Sequence, residues 1–325
     1  MIWILLGCVS PGDGRDDTGP ATDDTGPTGT LRVATWNLYN VGSPGSDEFD
    51  ATVAILDRLG ADVVALQEVN DDDQSELAAL ADAAGYPHVV FAESSPFGEY
   101  NGGFLSRLEP LDNAVWTSAE LSGDNRANDV TRQPLALSVD APGGPVSVVT
   151  SHFKSGYDNE DEFRRSIDAI RIGQAAAQYG DRTLITGDFN AQLVDDGTES
   201  PSTWSSVPSG PPSSYELGSD LQALLDGDGI SNVVYGHLSS HRVQDAARDS
   251  GREGTRPTDT NRDGRRIDHI LVGPGLQDVS AQGAVYFSQE DEGGPTVPWI
   301  GEPAPRESSE LASDHLPVVI ELTWE

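Results

Sequence analysis

The feature that most constrains this chain is a set of six short apolar runs, each carrying a polar cluster at one end. Residues 31–36 (LRVATW) alternate like a half-buried strand, and 62–66, 145–150 and 182–186 are short apolar or β-branched runs. Each of these four leads into its cluster: Trp36-Asn37, Gln67-Glu68, Ser151-His152 and Gly187-Asp188-Phe189-Asn190. In 267–272 and 316–322 the order is reversed, with Arg266-Ile267-Asp268 and Ser313-Asp314-His315 at or just before the start. If the six clusters share one rim, the last two strands run opposite to the first four. That requirement predicts mixed or antiparallel sheets and excludes a purely parallel doubly wound sheet.

Helical spacing appears between the strands. Phe49, Val53, Leu56 and Leu59 share one face, with Asp47 as the expected cap and Gly60 as the stop. Residues 74–84 form an alanine-rich helix ending at Gly85. A third helix is predicted from about residue 161 to 179, burying Phe163, Ile167, Ile170 and Ala177 and turning Arg164, Arg165 and Arg171 elsewhere. Strands alternating with such helices suggest two packed sheets with helices outside.

The clusters are built of carboxylates, amides and imidazoles, the groups needed to cut a phosphoester. They can place a hard cation on the phosphate oxygens, orient a water, and donate to the charge of the transition state. The ordered set Trp36-Asn37, Leu66-Gln67-Glu68-Val69, 101–107 (NGGFLSR), Arg132-Gln133-Pro134-Leu135, Ser151-His152-Phe153, 187–191 (GDFNA), Arg266-Ile267-Asp268 and 313–317 (SDHLP) resembles the endonuclease/exonuclease/phosphatase superfamily. It is most similar to the secreted nucleases of the deoxyribonuclease I type, and the likeness runs from about residue 30 to the C-terminus. The resemblance implies a four-layer α/β sandwich, two packed mixed sheets flanked by helices, that hydrolyses phosphoesters with Mg²⁺ or Mn²⁺.

Roles follow from the same likeness. Glu68 and Asp314 are the expected metal ligands, and Asn37 resembles the asparagine that steadies the metal-binding glutamate. Asp188 would orient or deprotonate the attacking water, and Asn190 would donate to the phosphate. His315 resembles the family's aspartate-held histidine, with Asp268 as its partner; His152 and Arg132 resemble the phosphate-contacting histidine and arginine. Either Glu99 or Asn101 would support His152. His269, next to Asp268, is expected on the other face of its strand, and His88, His237 and His241 match no motif.

Charge works against a nucleic-acid substrate. Nineteen Lys and Arg against 54 Asp and Glu leave a formal net charge of −35, a field that repels a phosphate backbone at long range. Salt at about 0.15 M screens beyond roughly 8 Å, so local distribution decides. Arginines crowd residues 242–266, and Arg164, Arg165 and Arg171 follow the His152 strand. The single lysine, Lys154, stands two residues past His152, either as a phosphate contact or as a solvated loop residue. Ahead of Arg266, Asp259, Asn261, Asp263 and Gly264 have the spacing of a Ca²⁺ loop, but Ile270 stands where an EF-hand needs its closing glutamate.

The N-terminal segment, residues 1–9, reads as an apolar leader ending in a lipobox-like Cys8, the only cysteine, so no internal disulfide can form. It lacks a basic start and is short for a signal, defects that an upstream start would remove. Residues 10–29 are an acidic Asp/Gly/Thr/Pro linker that cannot bury enough apolar surface to order itself, and 30–325 form the catalytic domain. The expectation is an exported, monomeric phosphodiesterase, attached to a membrane through lipidated Cys8 and cutting DNA or RNA. Loops 192–220 and 285–310 would shape the substrate site. Alternatives are a phosphatase or sphingomyelinase-like phospholipase of the same superfamily, and a lipid-anchored binding protein without turnover.

Overall fold

The computed structural model describes residues 28–70, 74–92, 100–156, 158–191, 215–226, 260, 266–291 and 297–325. Cys8, most of the 10–29 linker, Glu99, most of loop 192–220, all but one of the 242–266 arginines, and Asp259, Asn261 and Asp263 lie outside them. The chain runs β1 (Gly29–Asn37), α1 (Asp47–Leu59), β2 (Val63–Asn70), α2 (Gln74–Ala83), β3 (His88–Phe91), β4 (Tyr100–Ser106), β5 (Pro110–Val115), α3 (Ser118–Ser122), β6 (Leu135–Val139), β7 (Val146–Thr150), α4 (Asn159–Ala177), β8 (Thr183–Asp188), α5 (Ser219–Asp226), β9 (Asp268–Val272), β10 (Ser280–Val285), α6 (Ser308–Ala312) and β11 (Val318–Trp324).

Two mixed sheets result, one ordered β10-β11-β1-β2-β4-β3 and the other β5-β6-β7-β8-β9. β1 and β2 are parallel, as are β7 and β8, while β11 runs antiparallel to β1 and β9 antiparallel to β8. The last two cluster-bearing strands therefore oppose their neighbours, as a shared rim requires.

Alternation of side chains makes the four layers. Leu31 and Val33 of β1, Val63 and Ala65 of β2, Val146 and Val148 of β7, Leu184 of β8 and Ile270 of β9 pack between the sheets. Their neighbours Ala34, Trp36, Val64 and Leu66 face α1 and α2, and Val149, Ile185 and Leu271 face α4 and α5. Both faces of the central strands are buried, which explains runs that read as continuously apolar.

The helices follow the expected pattern with three corrections. The cap of α1 is Ser46, whose side chain accepts from Phe49 N, and Asp47 is the first helical residue; Gly60 ends the helix in the left-handed region at φ 57. In α4, Arg165 and Arg171, expected away from the buried face, are themselves buried, and Ala177, expected to be buried, is exposed. Arg171 is fully enclosed because Asp129 and Asp220 arrive from other segments to meet it, at 2.6 and 2.8 Å.

Candidate active site

Strand positions that face between the sheets are apolar along most of their length and turn polar at one end. By alternation these are Thr35 and Asn37 on β1, Gln67 on β2, Thr150 on β7, Thr186 and Asp188 on β8, and Asp268 at the start of β9, all buried. Gln67 Nε2 donates to Thr35 Oγ1 (3.0 Å) and Thr150 Oγ1 (2.9 Å), tying the two sheets together just beneath the rim.

Above that bridge two residues are held in unusual backbone conformations. Glu68 has φ 58 and sits where the register of β2 against β4 shifts between Gln67 and Val69. The bulge re-aims its carboxylate toward the rim. Asn37 Nδ2 donates to Glu68 Oε1 (3.0 Å) and to Asp188 Oδ2 (3.1 Å), so one amide holds two carboxylates from different sheets. Asn190, at φ 50, donates its backbone N–H to Asp188 Oδ1 at 2.8 Å. Its Nδ2 lies 3.1 Å from His152 Nε2 and 3.0 Å from Phe153 O, so both amide hydrogens are engaged and donation to a phosphate would replace one of these bonds.

His152 is placed by close contact between β8 and the segment after β7. Gly187 has φ 137, and a Cβ there would stand 2.0 Å from Ser151 O, so only glycine lets residues 151–153 press against the strand. Phe153 N donates to Asp188 O (2.9 Å), and Phe153 stacks on Phe189. With Asn190 as donor, His152 Nε2 accepts and Nδ1 carries the proton, facing Glu68 Oε1 at 3.7 Å. His152 Nε2 lies 3.5 Å from Asp188 Oδ2.

His315 comes from the opposite sheet. Ser313 Oγ donates to Asn37 O (2.7 Å) and accepts from His315 N (3.0 Å), while Trp36 Nε1 donates to His315 O (3.0 Å). The ring then meets Asp268 Oδ2 through Nδ1 at 2.8 Å and faces Asp188 Oδ2 through Nε2 at 3.7 Å. His269 turns to the other face, with Nε2 3.0 Å from Ala191 O and its ring stacked on Phe189.

Environment sets the two imidazoles apart. Burial opposes charge on His315, but the carboxylates of Asp268 and Asp188 outweigh it and push the ring up to about 10. Burial, with Arg132, His315 and Lys154 nearby, holds His152 well below its ordinary range, so it is neutral. Burial and the Asp268 charge push Asp188 up, and burial raises Glu68 against the Asn37 hydrogen bond. A protonated and a neutral histidine beside buried carboxylates divide donor and acceptor roles in one pocket.

Glu68, His152 and Asp188 present ligand atoms within 4.8 Å of one another, and so do Asp188, Asp268 and His315. Asp314 joins neither group, yet its charge bears on both Glu68 and His315, and its Oδ1 is buried without a hydrogen bond. His152 Nδ1 and Asp268 Oδ1 are also buried without one. Clustered buried carboxylates with unused oxygens suit a hard divalent cation. Arg132 is half-buried, donates to Phe153 O (3.3 Å), and its charge reaches Glu68 and His152. Asn101 is buried on β4 opposite Val69.

Several other basic candidates among the described residues are spent on the scaffold. Arg164 pairs with Glu160, Arg165 holds Lys154 O and Gly156 O, and Lys154 pairs with Asp161 at 3.1 Å. Arg107 lies over the Tyr86 ring, and His88 pairs with Glu109. Two positioning residues escaped the motif pattern. Asp168, buried on α4, accepts from Thr131 N (2.8 Å) and Lys154 N (2.9 Å), fixing the chain beside Arg132 and beyond His152. Thr260 accepts from Ile267 N and Asp268 N, both at 3.0 Å, and its carbonyl takes Leu316 N at 2.7 Å. Asp168 stands one turn beyond Arg165, and Thr260 is hidden inside the Ca²⁺-like string; neither spacing marks a site.

This fold and pocket define a metal-dependent phosphoester hydrolase. The chain belongs to the Endonuclease/Exonuclease/phosphatase family, whose pattern matches residues 34–315. No curated protein matches the sequence. Among solved structures it is similar to an endonuclease/exonuclease/phosphatase from Beutenbergia cavernae, at 21% identity and TM-score 0.55, covering 91% of this chain and 72% of that one. A 3′ phosphatase from Neisseria bound to a product DNA hairpin matches at 20% identity and TM-score 0.56, over 90% of this chain and 100% of that one. An AP endonuclease from Archaeoglobus fulgidus matches at 17% identity and TM-score 0.54, over 89% and 98%.

Proposed function

We propose that this protein is an exported, divalent-metal-dependent phosphodiesterase that cuts nucleic acid. The observation that carries the reading is the Asn37 amide, which holds Glu68 and Asp188 together while Asp188 stands 3.5 Å from His152 and 3.7 Å from His315. Glu68 and Asp314 would hold Mg²⁺ or Mn²⁺, with Asn37 keeping Glu68 in place. The ion supplies positive charge at the phosphate oxygens when bound. Asp188, raised in pKa, takes the proton of a water lined up on phosphorus. His315, protonated and anchored by Asp268, donates through Nε2 to a phosphate oxygen as charge develops there. His152 and Arg132 contact the other side of the phosphate or the leaving group, and Asn190 exchanges a protein bond for one to the phosphate.

The DNA-binding Neisseria relative supports nucleic acid as substrate. One observation favours small phosphoesters or phospholipids instead: Arg164, Arg165 and Arg171 form internal ion pairs and offer no basic face, in a chain of net charge −35. Export and attachment through Cys8 rest on the sequence of residues 1–29, and a Ca²⁺ site at Asp259, Asn261 and Asp263 on spacing alone. The test is incubation with plasmid DNA, RNA, bis(p-nitrophenyl) phosphate and sphingomyelin, with Mg²⁺, Mn²⁺ or EDTA. Metal-dependent cutting of DNA or RNA, lost in His315→Ala, supports the reading. Turnover of only the small ester or lipid replaces the substrate, and metal binding without hydrolysis of anything would leave a binding protein.

A further inference from the structure

Three non-glycine residues among those described have positive φ: Glu68, Asn190 and Tyr39. Two of them carry the site, and the third stands beside it. Tyr39 has φ 60, a region that bulky side chains rarely occupy, and Asn40 N–H turns back to Leu38 O with Tyr39 at the apex. Its backbone N–H donates to Asn37 Oδ1 at 2.9 Å, so the amide that joins Glu68 to Asp188 also fixes this turn. The ring is 62% exposed, more than any other large hydrophobic side chain described. Neither burial nor packing therefore offsets the strain of holding an aromatic residue there. Strain kept at the edge of a site without a packing return points to use by a ligand.

We infer that Tyr39 is a substrate-binding residue whose ring stacks on a nucleobase next to the scissile phosphate. The inference rests on the nuclease reading and deepens it. A flat apolar ring beside a strongly acidic site can bind substrate without positive charge, because every base offers a π-face and stacking tolerates sequence. It also answers the engagement of Arg164, Arg165 and Lys154 in ion pairs among the described residues, since affinity would come from bases as well as phosphates.

The experiment measures kcat/KM on a single-stranded oligonucleotide and on the same strand with tetrahydrofuran abasic residues flanking the cleaved bond. Tyr39→Ala is expected to lose about tenfold or more on the base-bearing strand, mostly in KM, and Tyr39→Phe to keep nearly all activity. On the abasic strand the gap between wild type and Tyr39→Ala narrows to about twofold or less. Tyr39→Gly removes the strain, so it should melt no lower than wild type while showing the same loss as Tyr39→Ala. The inference is overturned if Tyr39→Ala is unimpaired, if its loss is equal on both strands, or if Tyr39→Phe loses as much, which would assign the contact to the hydroxyl. Wild-type protein that hydrolyses bis(p-nitrophenyl) phosphate but cuts neither strand overturns the nuclease reading and this inference together.

Discussion

Replacing Asp268 with asparagine reads the site through one proton. Asp268 Oδ2 is 2.8 Å from His315 Nδ1, both side chains are buried, and Asp188 lies on the far side of the ring. His315 is pushed from 6.5 to about 10, which corresponds to about 5 kcal/mol in favour of the charged form. Asparagine keeps the shape and an acceptor for Nδ1–H but removes the nearer of the two flanking charges. Roughly half of that preference or more should go with it, lowering the ring by about two pH units or more. Imidazole ¹⁵N shifts followed from pH 6 to 10.5, alongside kcat/KM, report the change. The expected result is an alkaline limb near pH 10 in wild type, coinciding with ring deprotonation, and near or below pH 8 in Asp268→Asn. Stability shifts in the same sense. A histidine raised in the folded state contributes fully below pH 6.5, and that contribution erodes as pH climbs toward 10. Wild type therefore loses about 5 kcal/mol from this group over that window, and the variant distinctly less. A ring that stays protonated past pH 9 in Asp268→Asn would refute the electrostatic account of His315.

Three further outcomes follow from the same structure. Arg171→Ala strands Asp129, which is fully buried, and should lower unfolding free energy by about 3–5 kcal/mol in urea titrations; a loss below 1 kcal/mol would show that the pair is not enclosed. Asp168 is pushed up to about 6 by burial, against hydrogen bonds from Thr131 and Lys154, so its ionisation erodes stability as pH rises from 3.8 to about 6. Wild type should lose about 3 kcal/mol across that window that Asp168→Asn does not lose, and parallel stability curves for the two proteins would contradict it. Mg²⁺ or Mn²⁺ at 100 times its dissociation constant should stabilise the fold by about 2.7 kcal/mol in thermal melts. That gain should vanish in Glu68→Gln, and a gain kept there would move the ion elsewhere.

Much of the site was legible because strand chemistry is local. A residue pair such as Asn37 or Asp188 at the end of an apolar run is visible in the chain itself, and the reversed order at Asp268 and His315 already implied antiparallel neighbours. Strands β3, β4, β5, β6 and β10 lie outside the six runs that the sequence marks. β10, Ser-Ala-Gln-Gly-Ala-Val, has little intrinsic strand preference and is held at the sheet edge by pairing with β11. The burial of Arg171 is not legible in helix periodicity, which sets an arginine apart from the apolar face, and only Asp129 and Asp220 together make that burial tolerable.

Sequence alone determined the family, the layer pattern and the identity of the polar clusters, since alternation, helix spacing and motif order act over a few residues at a time. Tertiary structure alone decided that one asparagine amide joins Glu68 to Asp188, that His315 is charged while His152 is neutral, and that Tyr39 is strained at the rim. Those properties depend on distances between groups far apart in the chain, such as Asn37 and Asp188, 151 residues apart, and on water excluded where two sheets meet. Neither quantity exists until the chain has folded.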